Sequence, residues 1–175
     1  RERYDALIST MPLDYLCTVV RGTNTEWMAA KAPQFKFSTT HVVGIGLEGV
    51  PPKKLRDKCW MYFPEDDCPF YRVTLFSKYA PYHVPRPGRQ WSLMCEICES
   101  PNRPVNPNTI VEETIQGLLN AKLISANDNI VDRFHTSLHH GYPTPFYGRD
   151  QLANPIFDAL EEHSIYSRGR FGAWK

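Results

Sequence analysis

No stretch of the 175 residues approaches the roughly 20 consecutive apolar residues of a membrane-spanning helix. Arg1-Glu2-Arg3-Tyr4-Asp5 carries no apolar signal-peptide run either, so neither membrane insertion nor secretion is expected. Charge of one sign is also lacking: 20 Lys and Arg oppose 19 Asp and Glu, for a formal net charge of +1. No global field then gathers nucleic acid or an anionic membrane, and any anion has to be held by a few placed side chains. Cysteine is sparse and odd in number. Cys17, Cys59, Cys68, Cys95 and Cys98 lack the density of a secreted disulfide scaffold, which predicts a reducing, cytoplasmic setting. Glycine, at 10 residues, is slightly low, and no G-x-x-x-x-G-K-[ST] phosphate loop occurs. Internal repeats, low-complexity runs and flexible linkers are missing too. The 42% hydrophobic and 22% charged residues exclude a disordered tail, a coiled coil or a fibre. A charged start without an initiator Met and an end at Phe171-Gly172-Ala173-Trp174-Lys175 predict a piece of a longer protein.

What the chain has in excess is proline: 15 of 175 residues, roughly 9% against about 5% on average. Many short elements joined by fixed turns are expected. Asp5 to Pro12 reads as a short buried strand stopped by its proline at a sheet edge. Asn24 to Ala32 predicts a short helix capped by Asn24 and ended by Pro33. The β-branched run Thr39 to Gly49 (THVVGIGLEGV), closed by Pro51-Pro52, reads as a strand. So do Tyr71 to Ser77, Trp91 to Glu99 (WSLMCEICE) and Ile130 to Leu138. Asn106-Pro107 predicts a helix start, with the Asn side chain capping orphan amides and the proline in the first helical position. Ile110, Val111, Ile115, Leu118, Leu119 and Leu123 then form one apolar stripe at helical spacing. Arg149 to His163 predicts a further helix with Leu152, Ile156, Phe157 and Leu160 inward. The class that follows is α+β: one domain over residues 1–175, with an antiparallel sheet of about five or six strands and helices packed on it.

Cys95-x-x-Cys98 is half of a zinc pattern without a second pair. On a strand the two positions face opposite sides, so both read as packing residues rather than ligands. His135 and His139 share a strand face but lie roughly 13 Å apart by strand rise, too far for one ion. No metal site is expected. Glu65-Asp66-Asp67, beside Pro64, reads as a solvated hairpin tip rather than an acid–base pair. Tyr, Trp and Arg, by contrast, are concentrated in what read as turns: around Trp60 and Tyr62, at Tyr71-Arg72, at Tyr79-Ala80-Pro81-Tyr82, at Gly141-Tyr142-Pro143, and at Arg168-Gly169-Arg170. Arginine grips phosphate bidentately and tyrosine hydroxyls add neutral donors, which suits a diphosphate; the same residues also suit plain packing.

The runs KCWMYFPEDDCPFYRVTLFSKYAPY (58–82), HGYPTPF (140–146) and IYSRGRFGAWK (165–175), with LISTMPLDYL and STTHVVGIGLEG, resemble the UDP-galactopyranose mutase family, its eukaryotic-type branch above all. They also resemble flavoproteins of the same amine-oxidase-like superfamily. The resemblance runs in order over essentially the whole chain. It implies the substrate-side domain of an FAD-dependent enzyme that converts UDP-galactopyranose to UDP-galactofuranose, with reduced flavin as nucleophile and no net redox change. It further implies that Arg72, Tyr62, Tyr79 and Tyr142 hold the diphosphate, that Arg170 lines the flavin and sugar side, and that Trp60 forms a neighbouring wall. Residues 1–12 and 165–175 resemble strands that leave and re-enter an FAD domain outside this chain. The expected partners are a UDP-sugar and the remaining FAD and helical domains, with FAD held by the parent protein and neither FAD nor turnover expected of this chain alone. Two other readings stay open, because a fold does not determine chemistry: an amine oxidase-like oxidoreductase with a different substrate, and a non-catalytic nucleotide-sugar binding module.

Overall fold

The computed structural model describes residues 3–22 and 25–175. Pro12 separates β1 (Leu7–Ser9) from α1 (Leu13–Val19) rather than merely stopping a strand. The expected strand from Asp5 to Pro12 is therefore shorter, and a helix follows it that the sequence reading missed. Proline loses no hydrogen bond at a helix start. Its carbonyl accepts from the Leu16 amide at 2.8 Å, and Leu13, Leu16 and Cys17 bury one helical face. α2 (Glu26–Lys31) matches the next predicted helix, although Asn24, its expected cap, lies outside the described residues. The α-helix ends at Lys31, ahead of Pro33 as expected, and Pro33 itself sits inside a 3-10 turn, Ala32–Gln34, that follows directly.

The chain then forms β2 (Phe37–Glu48), β3 (Trp60–Tyr62), β4 (Arg72–Leu75), β5 (Gln90–Glu99), α3 (Ile110–Asn120), β6 (Ile130–Pro143), α4 (Arg149–Glu162), β7 (Ile165–Ser167) and α5 (Gly169–Gly172). Trp60, Tyr62 and Tyr142, read from sequence as turn residues, are strand residues. β6 runs on to Pro143 rather than stopping at Leu138, and past its end the Thr144 amide donates to the Lys36 carbonyl at 2.8 Å. α3 starts at Ile110, later than Asn106-Pro107 predicted. Asn106 does cap an amide, since its Oδ1 accepts from the Asn108 N–H at 3.0 Å, but it caps a turn that precedes the helix.

The 175 residues divide into two compact units, Arg1–Ser38 with His140–Lys175, and Thr39–His139. In the first, β1 and β7 pair in parallel with Leu7 opposite Ile165 and Ser9 opposite Ser167. Its core gathers Leu13, Leu16, Met28, Phe35, Ile156, Leu160 and Trp174. The second holds most of a five-stranded sheet in the order β3-β4-β5-β2-β6, with antiparallel pairing through β3, β4, β5 and β2. One face of that sheet carries Val73, Leu75, Leu93, Cys95, Val43 and Ile45, packed with Ile110 and Leu118 of α3. Gly117 lets α3 come close: a Cβ there would lie 2.8 Å from Pro69 Cδ and 3.0 Å from Cys68 Cβ. The α+β class and the antiparallel sheet expected from the sequence are what the fold shows.

Candidate functional site

Strand alternation sends the polar partners of those core residues to the opposite sheet face. Register then aligns them in rows. Tyr62 lies opposite Arg72, and Arg72 opposite Glu96; beside that row, Trp60 lies opposite Thr74, and Thr74 opposite Met94. Directly opposed residues share a face, so three of the sequence-nominated residues, Trp60, Tyr62 and Arg72, come together with Glu96. Trp60 and Tyr62 are 54% and 63% exposed, which leaves their rings available to a ligand instead of a core.

Arg72 is held firmly. Its Nε donates to Glu96 Oε1 at 2.7 Å and its Nη2 to Glu96 Oε2 at 2.6 Å, a fork-on-fork pair. Glu96 is only 5% exposed, and the Tyr71 hydroxyl donates to its Oε2 at 2.9 Å. The guanidinium carbon also stands 5.9 Å from the Trp60 ring centroid and 6.0 Å from that of Tyr71, within cation–π range. Tyr79 joins the group from the turn after β4, where its hydroxyl accepts the indole N–H of Trp60. Phe76 and His83 support that turn by stacking at 4.1 Å between centroids, with Tyr79 5.7 Å from Phe76.

The same face holds a cavity of about 640 Å³ whose walls include Val42, Gly44, Gly46, Phe76, His83 and Phe134. Gly44, Gly46 and Gly49 have the G-x-G-x-x-G spacing of a dinucleotide loop, but Gly44 and Gly46 lie inside antiparallel β2, and Pro51-Pro52 rather than a helix follows. The role of Gly44 and Gly46 is steric. A Cβ at Gly44 would meet Phe134 Cβ at 3.3 Å, and one at Gly46 would meet Asp132 Cβ at 3.2 Å.

The two remaining nominated residues belong to the first unit. Arg170 of α5 places its guanidinium 4.9 Å from the ring centroid of Tyr142, near the end of β6. In that unit His140 Nε2 lies 2.9 Å from Asp14 Oδ2, and its ring stacks on Phe37 at 4.2 Å.

Sequence reasoning missed Glu96, whose only signal was an acid among the alternating apolar residues of WSLMCEICE. It also missed a chain of contacts across three strands: His41 Nε2 meets Glu99 Oε2 at 2.9 Å, and His41 Nδ1 meets His135 Nε2 at 2.9 Å. The hydrogen bond from His41 lowers the Glu99 pKa, and burial, then His41, lowers that of His135. Cys95 is buried in the core while Cys98 points to the other face, and burial raises the Cys95 thiol pKa. Burial, helped by Asp14, raises that of Cys17 to about 12, so both thiols are inert packing groups. Among the described residues no three His, Cys, Asp or Glu side chains converge as metal ligands, and no helix is long and apolar enough to cross a membrane.

No protein-family model matches this sequence. Among solved structures, the chain superposes with a TM-score of 0.68 on a protein from Exiguobacterium sp. 255-15 assigned as a protoporphyrinogen oxidase. At 11% identity over 95% of this chain and 36% of that one, the likeness is one of fold. A second match is far stronger. The crystal structure of a reduced UDP-galactopyranose mutase aligns at 46% identity with a TM-score of 0.91, covering 98% of this chain. This chain spans 36% of that one. The resemblance read from the sequence therefore holds: over almost its full length the chain is similar, in sequence and in fold, to one segment of a UDP-galactopyranose mutase.

Proposed function

We propose that this chain is the substrate-side part of an FAD-dependent, UDP-galactopyranose mutase-type enzyme, and that Arg72, Tyr62 and Tyr79 grip the diphosphate of a UDP-galactose, with Trp60 as a neighbouring wall. The observation that carries the reading is the assembly of Trp60, Tyr62 and Arg72 on one sheet face, joined by Tyr79 from the turn after β4, with the Arg72 guanidinium already held in place. When UDP leaves the anomeric carbon, negative charge develops on the diphosphate. Donors fixed beforehand stabilise that charge without reorganising as it forms. Arg72 supplies the cation. The Tyr79 oxygen accepts from Trp60, which leaves its own O–H available as a donor, and the Tyr62 hydroxyl adds another. In the first unit, Tyr142 and Arg170 take the roles the resemblance assigns them, a diphosphate hydroxyl and an arginine on the flavin and sugar side.

FAD, when bound, supplies the nucleophile that attacks the anomeric carbon. The residues of this chain suit a contact to it through Arg170, not its phosphate cradle, because Gly44 and Gly46 lie inside β2 and Pro51-Pro52 follows instead of an α-helix. The chain alone therefore carries no flavin, and a purified sample with stoichiometric flavin absorbance would refute this. Five free cysteines fit a reducing cytoplasmic setting.

The decisive experiment is Arg72→Ala in the full-length protein. Losing a charge-assisted hydrogen bond of about 1.5–3 kcal/mol should weaken UDP-galactose binding roughly 10- to 100-fold while FAD stays bound. Unaltered UDP-galactose binding would overturn the assignment.

A further inference from the structure

The assignment of Arg72 leaves open why Glu96, an anion, should stand beside a site proposed for an anion. A carboxylate there opposes a diphosphate by charge alone, yet it is among the best-held side chains of the sheet. It is buried, its two oxygens take Nε and Nη2 of Arg72 at 2.7 and 2.6 Å, and the Tyr71 hydroxyl fixes it from the side at 2.9 Å. Arg72 and Glu96 are direct cross-strand partners, so rigid backbone pairing sets the separation of the two groups. An arginine side chain has many rotamers, and those not ordered before binding must be ordered during it, at a cost to affinity.

We propose that Glu96 is the positioning residue of the site: it locks the Arg72 guanidinium into one rotamer on the sheet face, with Tyr71 locking Glu96 in turn. This rests on the proposed diphosphate role of Arg72. Removing Glu96 frees the guanidinium to move, and the loss of order outweighs the relief of charge opposition. The affinity effect of Glu96 passes entirely through Arg72.

The test is UDP binding by the full-length flavoprotein, measured by titration calorimetry with Glu96→Gln, Glu96→Ala, Arg72→Ala and the Arg72→Ala/Glu96→Ala double variant. Glu96→Gln is nearly isosteric and keeps one acceptor for Arg72, so it should weaken UDP binding several-fold. Glu96→Ala should weaken it tenfold or more. In the Arg72→Ala background, Glu96→Ala should change UDP binding less than twofold, a coupling that a purely structural role would not produce. Wild-type or tighter binding by both Glu96 variants would overturn the proposal and make Glu96 a competitor for Arg72. So would equal losses from Glu96→Ala with and without Arg72. If Arg72→Ala itself binds UDP like wild type, the diphosphate reading fails and the positioning role fails with it. If Arg72→Ala loses binding while Glu96→Gln does not, only the positioning role fails.

Discussion

The two faces of the five-stranded sheet are made by the same strands and do different work. On β5, Trp91, Leu93, Cys95 and Ile97 are buried against the α3 side, while Ser92, Met94 and Glu96 alternate onto the other. The covered face is apolar and tightly packed, down to a helix glycine with no room for a methyl group. The other face collects an arginine, a buried carboxylate, two half-exposed aromatic rings and two glycines that floor a cavity. One face holds the fold together by burial, and the other can spend its residues on a ligand because the first makes the sheet stable.

The comparison breaks most easily at the covered face. Leu93→Ala should lower unfolding free energy by about 2–5 kcal/mol, read from the urea midpoint. Gly117→Ala comes next. The new Cβ, 2.8 Å from Pro69 Cδ and with backbone-anchored neighbours, should cost about 1–3 kcal/mol through overpacking despite the better helix propensity of alanine. If it stabilised the protein instead, the close approach of α3 would not be a constraint. On the ligand face the pattern should reverse. Tyr62→Phe should shift stability by less than about 0.5 kcal/mol yet weaken UDP binding in the full-length protein by about 0.5–1.5 kcal/mol, the worth of one neutral hydrogen bond. A Tyr62→Phe variant that unfolds more readily and binds normally would erase the distinction.

The smallest effect concerns pH, through the His41 contacts. Burial lowers the His135 pKa below 6.5, so the folded state resists protonation there more than the unfolded state does. Stability should fall as pH drops from 6.5 through the folded value, and His135→Gln should flatten that window in urea melts taken at a series of pH values. The Glu99 pKa lies below its ordinary 4.5, so its contribution is present above pH 4.5 and disappears as pH falls through the folded value. This second loss should survive His135→Gln. Because Glu99 is partly exposed, added salt should reduce it.

Much of the fold was legible because it rests on local periodicity. The stripe from Ile110 to Leu119 and the alternation in WSLMCEICE state which faces are buried, and α3 and β5 follow them. α1 was not legible because Pro12 reads equally as the end of a strand and the start of a helix, and only the burial of Leu13, Leu16 and Cys17 decides between them. β3 was missed for a different reason. Three residues between turns carry no period, and Trp60-Met61-Tyr62 becomes a strand only by pairing with β4.

The candidate site divides in the same way. Its residue types were visible as a concentration of Arg, Tyr and Trp, and the family motif named the positions. Glu96 was invisible, because its partner lies 24 positions away and nothing near either residue announces the pairing.

By itself the sequence determined the α+β class, the apolar positions of the core and the donor chemistry on offer, since each depends on composition or on spacing within one segment. Only the tertiary structure decided that Tyr62, Arg72 and Glu96 form one row and that Trp60 meets Tyr79. The row is set by strand register, and a shift of one residue in that register would send Tyr62, Arg72 and Glu96 to the other face, while Tyr79 reaches Trp60 from the turn after β4.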